Sequence, residues 1–202
     1  MTDLFPGVLL LGAVSLVDEG LYHAVHAGSD SSRRALFGAV THLGDGLTAL
    51  GVSLALGLHD PATGGAVGRA AVRAGLVTTA FKLVITRPRP YEDPAACAPG
   101  FTLHACASMP SGHAATAFSM ARVLAHQYPA YGPLWYGLAA LAAWSRVETG
   151  VHWPSDVLAG ALIGLWVAES VLSRLQPAGH GPDRAASSIS RGAGCRRRCA
   201  PR

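Results

Sequence analysis

The sequence predicts an all-α fold: a six-helix transmembrane bundle with its functional residues at helix ends on one face. Three observations carry this reading. Half the residues are apolar, only 14% are charged and mean hydropathy is +0.30, a composition that leans toward a membrane protein. Six apolar stretches stand out, near residues 4 to 17, 36 to 58, 66 to 86, 113 to 127, 133 to 148 and 156 to 173. No alternating run of Val, Ile, Thr and aromatic residues is bounded by hairpin turns, so strands have no signal.

Taken in order, the chain starts MTDLFPG, which lacks a positive leader, and the first stretch runs from Leu4 to Val17. Ala13-Val14-Ser15 is a weak cleavage-like site, so the stretch reads as a retained first helix. The later stretches carry polar interruptions such as Asp45, Arg73 and Arg122, and none is a clean run of ~20 apolar residues. A tightly packed soluble bundle is therefore the competing reading. Small residues such as Ala114-Ala115 and Ala159-Gly160-Ala161 let helix backbones approach closely in a bilayer and favour the membrane. Loops are marked at Asp60 to Gly65, at Arg87 to Pro110 with its five prolines, and at Tyr128 to Pro133. The second is the longest, and long loops are often functional. With 202 residues the chain suits one domain, residues 1–176. Residues 177–202 are rich in Pro, Gly, Ser and Arg without an apolar face, and read as a disordered basic tail.

That tail supplies most of the +4 charge, through Arg184, Arg191, Arg196, Arg197, Arg198 and Arg202. No aromatic residue is interleaved among these arginines, which points to cytoplasmic retention or anionic lipid, with no nucleic-acid partner. If the sixth helix ends inside, Arg69 and Arg73 are also cytoplasmic, while Arg33, Arg34, Arg87 and Arg89 lie outside against the bias. The functional face is then extracytoplasmic. Cys97 with Cys106 and Cys195 with Cys199 lack zinc-site spacing, so no metal is expected. Cys97 and Cys106 flank the long loop and suit a disulfide if it lies outside.

Three blocks carry the chemistry. The first holds Lys82, the single lysine of the chain, then Arg87-Pro88-Arg89-Pro90. Each proline biases its arginine away from helix, leaving a planar guanidinium free to grip two phosphate oxygens beside a lysine point charge. As structure alone, this is a basic helix end. The second block, Pro110-Ser111-Gly112-His113, opens the fourth apolar stretch. Free N–H groups at a helix start suit an anion, although Ser111 as a plain N-cap explains the same residues. The third block runs from Ser145-Arg146 to His152 and Asp156. An imidazole and a carboxylate four residues apart can pair, fixing the tautomer and stabilising the imidazolium. A capping pair is the plainer alternative.

Together the blocks resemble the three-part signature of the type 2 phosphatidic acid phosphatase (PAP2) superfamily, which also includes bacterial acid phosphatases, glucose-6-phosphatase and vanadium haloperoxidases. KxxxxxxRP is present from Lys82 to Pro90, PSGH from Pro110 to His113, and SRxxxxxHxxxD from Ser145 to Asp156. The resemblance implies that His152 is the nucleophile, oriented by Asp156. It implies that His113 protonates the leaving oxygen and later activates water, and that Lys82, Arg89, Ser111, Gly112 and Arg146 hold the phosphate. Arg87 lies outside the strict motif.

The expectation is a membrane lipid phosphatase without cofactor, acting on a polyprenyl diphosphate, phosphatidic acid, phosphatidylglycerol phosphate or lipid A phosphate. Its partners are that lipid substrate and the surrounding membrane lipids. The bacterial inner membrane is the expected location, with the site facing the periplasm or exterior. A phosphotransferase using the same histidine and an inactive lipid-binding protein are the alternatives; a vanadate haloperoxidase is disfavoured by the short chain. His104, Glu92 and Glu148 lie near the blocks without an assigned role. Asp18, Glu19 and Asp45 read as helix caps or interface residues, and Trp144, Trp153 and Trp166 as core or bilayer-interface residues.

Overall fold

The computed structural model describes residues 4–28, 30–91 and 107–175. The expectations for Glu92, Cys97, His104, Cys106 and the 177–202 tail lie outside the described residues.

The described residues form eight α-helices and no named strand. These are α1 (Leu4–Ser15), α2 (Asp18–His26), α3 (Ser31–Val40), α4 (Gly46–Gly57), α5 (Pro61–Val84), α6 (Gly112–Gln127), α7 (Gly132–Glu148) and α8 (Pro154–Leu172). The all-α class holds, and the helix count differs from six for two local reasons. The helix α2 follows the first apolar stretch on a polar sequence, DEGLYHAVH, that apolar runs do not reveal. The stretch expected as one helix over 36 to 58 is broken into α3, a 3-10 turn at Thr41–Gly44, and α4, with a bend of 50°. Asp45 causes the break: its extended backbone ends the turn, and its carboxylate caps α4 by accepting from Thr48 N at 2.8 Å. Asp30 and Asp60 start α3 and α5 in the same way, at 2.7 and 3.1 Å.

Packing places small residues inside and large ones outside. Ala66, Ala70 and Ala74 of α5, Ala114 and Ala115 of α6, and Ala142 of α7 are buried, whereas Leu47, Leu50, Leu54 and Leu58 form an exposed stripe along α4. Val72, Leu76 and Leu83 do the same on α5. In water the large apolar residues belong inside; in lipid, close helix contact selects small residues and leaves leucines facing outward. The tightest contact is between α6 and α8. A Cβ on Gly160 would stand 2.3 Å from the Ser111 carbonyl oxygen, and one on Gly164 2.3 Å from that of Ala115. These two glycines, one turn apart, let α8 lie directly on the start of α6. Among the described residues, α8 alone is long and apolar enough to cross a membrane, and the bent α3–α4 pair would make a second span if counted as one.

Candidate active site

His152 is placed by the way α7 ends. Thr149 N and Gly150 N close the last turn on Ser145 O and Val147 O, both at 2.9 Å. Gly150 then takes φ +75°, the left-handed conformation that glycine adopts without penalty after a helix. The chain turns back, so that Val151 N and His152 N both donate to the Arg146 carbonyl, at 3.1 and 3.2 Å. The imidazole is 2% exposed, beneath the α7 terminus. Burial holds its pKa below the ordinary value of 6.5, against the opposing pull of Asp156, so the ring is neutral at neutral pH.

Asp156 lies fully buried in the first turn of α8. Its Oδ2 accepts from Trp153 N at 3.0 Å and from the Ser108 hydroxyl, and stands 3.6 Å from His152 Nδ1. That last distance lies beyond ordinary hydrogen-bond range. Ser108 Oγ lies 3.5 Å from the same Nδ1, between ring and carboxylate. Oδ1 accepts from Arg87 Nη1 at 2.6 Å. Arg87 also donates to Ser155 Oγ at 2.7 Å and to Asp18 Oδ2 at 2.7 Å. Its guanidinium sits 5.6 Å from the centre of the Trp153 ring, whose Nε1 donates to Pro88 O at 3.0 Å. Ser108 N bonds Arg87 O at 3.1 Å, joining the two ends of the long loop behind Asp156.

The other expected residues meet at neighbouring helix ends. Lys82 is on the last turn of α5, within electrostatic range of Arg89, Arg146 and Asp156. Ser111 caps α6, receiving Ala114 N at 3.5 Å, and its own N–H donates to Asp156 O at 2.9 Å, which locks the start of α6 to that of α8. Gly112 is the first residue of α6 and His113 the second. His113 lies within electrostatic range of Arg146, His152 and Lys82. Arg146 donates to Thr41 Oγ1 at 2.7 Å, so the 3-10 turn at the α3–α4 bend steadies it. The same turn presses on α6: a Cβ on Gly44 would come within 2.8 Å of His113 O. Among the described residues no group of three His, Cys, Asp or Glu side chains could hold a metal ion.

Several contacts escaped the sequence reading. Asp18, expected as a cap or interface residue, is 4% exposed and reaches across to Ser155, accepting from its N–H at 2.8 Å and from its hydroxyl. Ser108 has only its place just ahead of the PSGH block to suggest a role. Glu148 is fully buried, accepting from Arg33 and from Trp144 Nε1, the latter at 2.7 Å. Arg33, which counted against the charge rule, thus has an internal partner. Trp166 is exposed on α8.

Comparison with known proteins agrees with this architecture. Over 66 residues the chain is 42% identical to a lipid A 1-phosphatase of Porphyromonas gingivalis, covering 31% of this chain and 15% of that one. Over 99 residues it is 34% identical to a lipid A 1-phosphatase of Rhizobium johnstonii, covering 47% and 41%. Over 64 residues it is 44% identical to an undecaprenyl-diphosphatase of Sulfolobus acidocaldarius, covering 30% of each. The chain therefore matches less than half the length of each of these relatives. The crystal structure of Aquifex aeolicus LpxE superposes with a TM-score of 0.68 at 25% identity, over 78% of this chain and 95% of that one. A transmembrane PAP2 type phosphatidylglycerolphosphate phosphatase from Bacillus subtilis shares the fold, with a TM-score of 0.60 at 23% identity over 89% and 97%. The PAP2 superfamily model matches residues 64–178, more than half of the sequence, and the chain belongs to the PAP2 superfamily.

Proposed function

We propose that the protein is a membrane-embedded, metal-independent phosphatase that removes phosphate from a lipid phosphomonoester or diphosphate through a phosphohistidine at His152. The observation that carries this reading is the setting of His152: a buried, neutral imidazole with its Nδ1 edge toward Asp156 and Lys82 and Arg146 in electrostatic range. Nε2, on the opposite edge of the ring, attacks phosphorus. The bond to the leaving oxygen breaks as His113 protonates it, and His113 then takes a proton from the water that releases phosphate from His152. Lys82, Arg89 and Arg146, with the N–H groups at the start of α6, meet the charge on the equatorial oxygens.

The lipid part of the proposal rests on the leucine-covered exterior and on the relatives, whose names specify lipid A and undecaprenyl diphosphate. An apolar groove supports it. Leu43, Val52, Ala117, Met120, Leu124 and Leu138 line a cleft between α4, α6 and α7 that begins one turn beyond His113. The charge rule orients the site away from the cytoplasm, at the periplasmic or outer side of a bacterial inner membrane. The test is phosphate release by detergent-purified protein on lipid A, phosphatidic acid, phosphatidylglycerol phosphate and polyprenyl diphosphate, with a water-soluble phosphomonoester alongside and a chelator in a parallel series. Release from a lipid, unaffected by chelator, is expected. No release from any lipid, or a strict preference for the soluble ester, would overturn the reading.

A further inference from the structure

We infer that Asp18, together with Arg87, is a positioning pair that sets the charge behind His152. The inference rests on the His152 mechanism proposed above and extends the site to a residue outside both the three sequence blocks and the 64–178 segment that matches the family.

The geometry is that of a bridge. One guanidinium nitrogen of Arg87 bonds Asp156 Oδ1 at 2.6 Å and the other bonds Asp18 Oδ2 at 2.7 Å. Ser155, fully buried, closes the ring: its hydroxyl accepts from Arg87 at 2.7 Å, and its N–H and hydroxyl both donate to Asp18. Asp18 and Asp156 are 4% and 0% exposed, so neither charge is relieved by water. Arg87 by itself would neutralise Asp156, leaving nothing to stabilise the cationic imidazole that forms when His152 bonds to phosphorus. A second carboxylate on Arg87 restores one net negative charge. The planar fork of Arg87 offers a separate nitrogen to each carboxylate in a fixed geometry. The other charged and titratable groups facing His152 are Lys82 from α5, His113 from α6 and Arg146 from α7. The two cations, Arg146 and Lys82, oppose its protonation, which makes the negative cluster on the α8 side the counterweight.

The experiment compares full-length Asp18→Asn, Arg87→Met, the double variant and Arg87→Lys with wild type. Asp18→Asn is expected to lower kcat about 10- to 100-fold, as loss of a supporting contact does, with KM unchanged. The acidic limb of its kcat profile moves to lower pH, and Asp18→Asn has a smaller effect on the Arg87→Met background, where the bridge to Asp156 is already gone. Arg87→Lys, which keeps the charge but loses the rigid two-nitrogen fork, falls between wild type and Arg87→Met, and decides the matter if Asp18→Asn does not fold. Titration of the His152 ring by NMR gives a readout without turnover, and is expected to shift to lower pH in Asp18→Asn. An Asp18→Asn or Arg87→Lys enzyme with wild-type kcat and pH profile overturns the inference while leaving the phosphatase reading intact. So does a variant whose loss is confined to KM. Wild type without turnover removes the phosphatase reading, and an unshifted His152 titration then removes the inference as well.

Discussion

The two sides of His152 are built on opposite electrostatic plans. Toward the α5, α6 and α7 ends stand Lys82, Arg146 and His113, held at helix ends, and Arg89 in the segment after α5, all half-buried. Toward α8 lie Asp156, Asp18, Ser108 and Ser155, all buried and tied together by Arg87. A half-buried cation keeps partial hydration while it waits for an anion. A buried carboxylate has no such refuge and must find donors within the protein. The first side is thus suited to receive a changing ligand, and the second to hold one geometry throughout the reaction.

Substitutions on the two sides should separate along that line. The largest effect is expected on the rigid side. Asp156→Ala strips the carboxylate from beside His152 and removes one of the two carboxylates on Arg87, so kcat should fall about 10³- to 10⁴-fold, as when a histidine loses its orienting carboxylate. Lys82→Met and Arg146→Met, on the receiving side, should each cost about 10²- to 10³-fold and raise KM as well, because in the proposed mechanism those groups meet the phosphate from ground state to transition state. Steady-state kinetics on one lipid substrate compares all three.

A smaller effect concerns pH. In the proposed mechanism His152 must be neutral to attack, and burial lowers its pKa from 6.5. The limb of the kcat/KM profile that belongs to His152 should therefore lie below about 6.5, where the ring takes a proton. Asp156 opposes the lowering, so Asp156→Asn should move this limb further down in whatever activity remains. The smallest effect should come from the contact beneath the site. Gly164→Ala forces a methyl against the Ala115 carbonyl and should cost about 1–3 kcal/mol of stability, seen as a lower Tm in detergent, because helices packed this closely must shift apart.

The comparison also marks what could be read from sequence. Lys82, Ser111, His113, Arg146, His152 and Asp156 fall in blocks of fixed spacing, and a helix end converts spacing into position. The structure accordingly places them together. Asp18 could not be found in this way, because it lies 69 residues before Arg87 and on a helix too polar to stand out. Its contacts depend on how α2 packs on α7 and α8, and no local pattern encodes that. The break at Gly44-Asp45-Gly46 was obscured for a different reason. Two glycines and one aspartate barely lower the apolar average over 36 to 58, yet the Asp45 cap and the contact of Gly44 with His113 bend the chain there. The all-α class was legible because alanine and leucine dominate every long stretch and β-branched alternation is absent.

The central claim is that phosphate passes through His152, and the most direct measurement is to trap it there. Enzyme mixed with lipid substrate carrying radiolabelled phosphate, quenched in alkali within the first turnover, should retain label on protein that is released by acid. The label should map to the peptide containing His152 and be absent in His152→Ala. Label missing from wild type throughout a turnover that still releases phosphate, or full phosphate release by His152→Ala, would contradict the account.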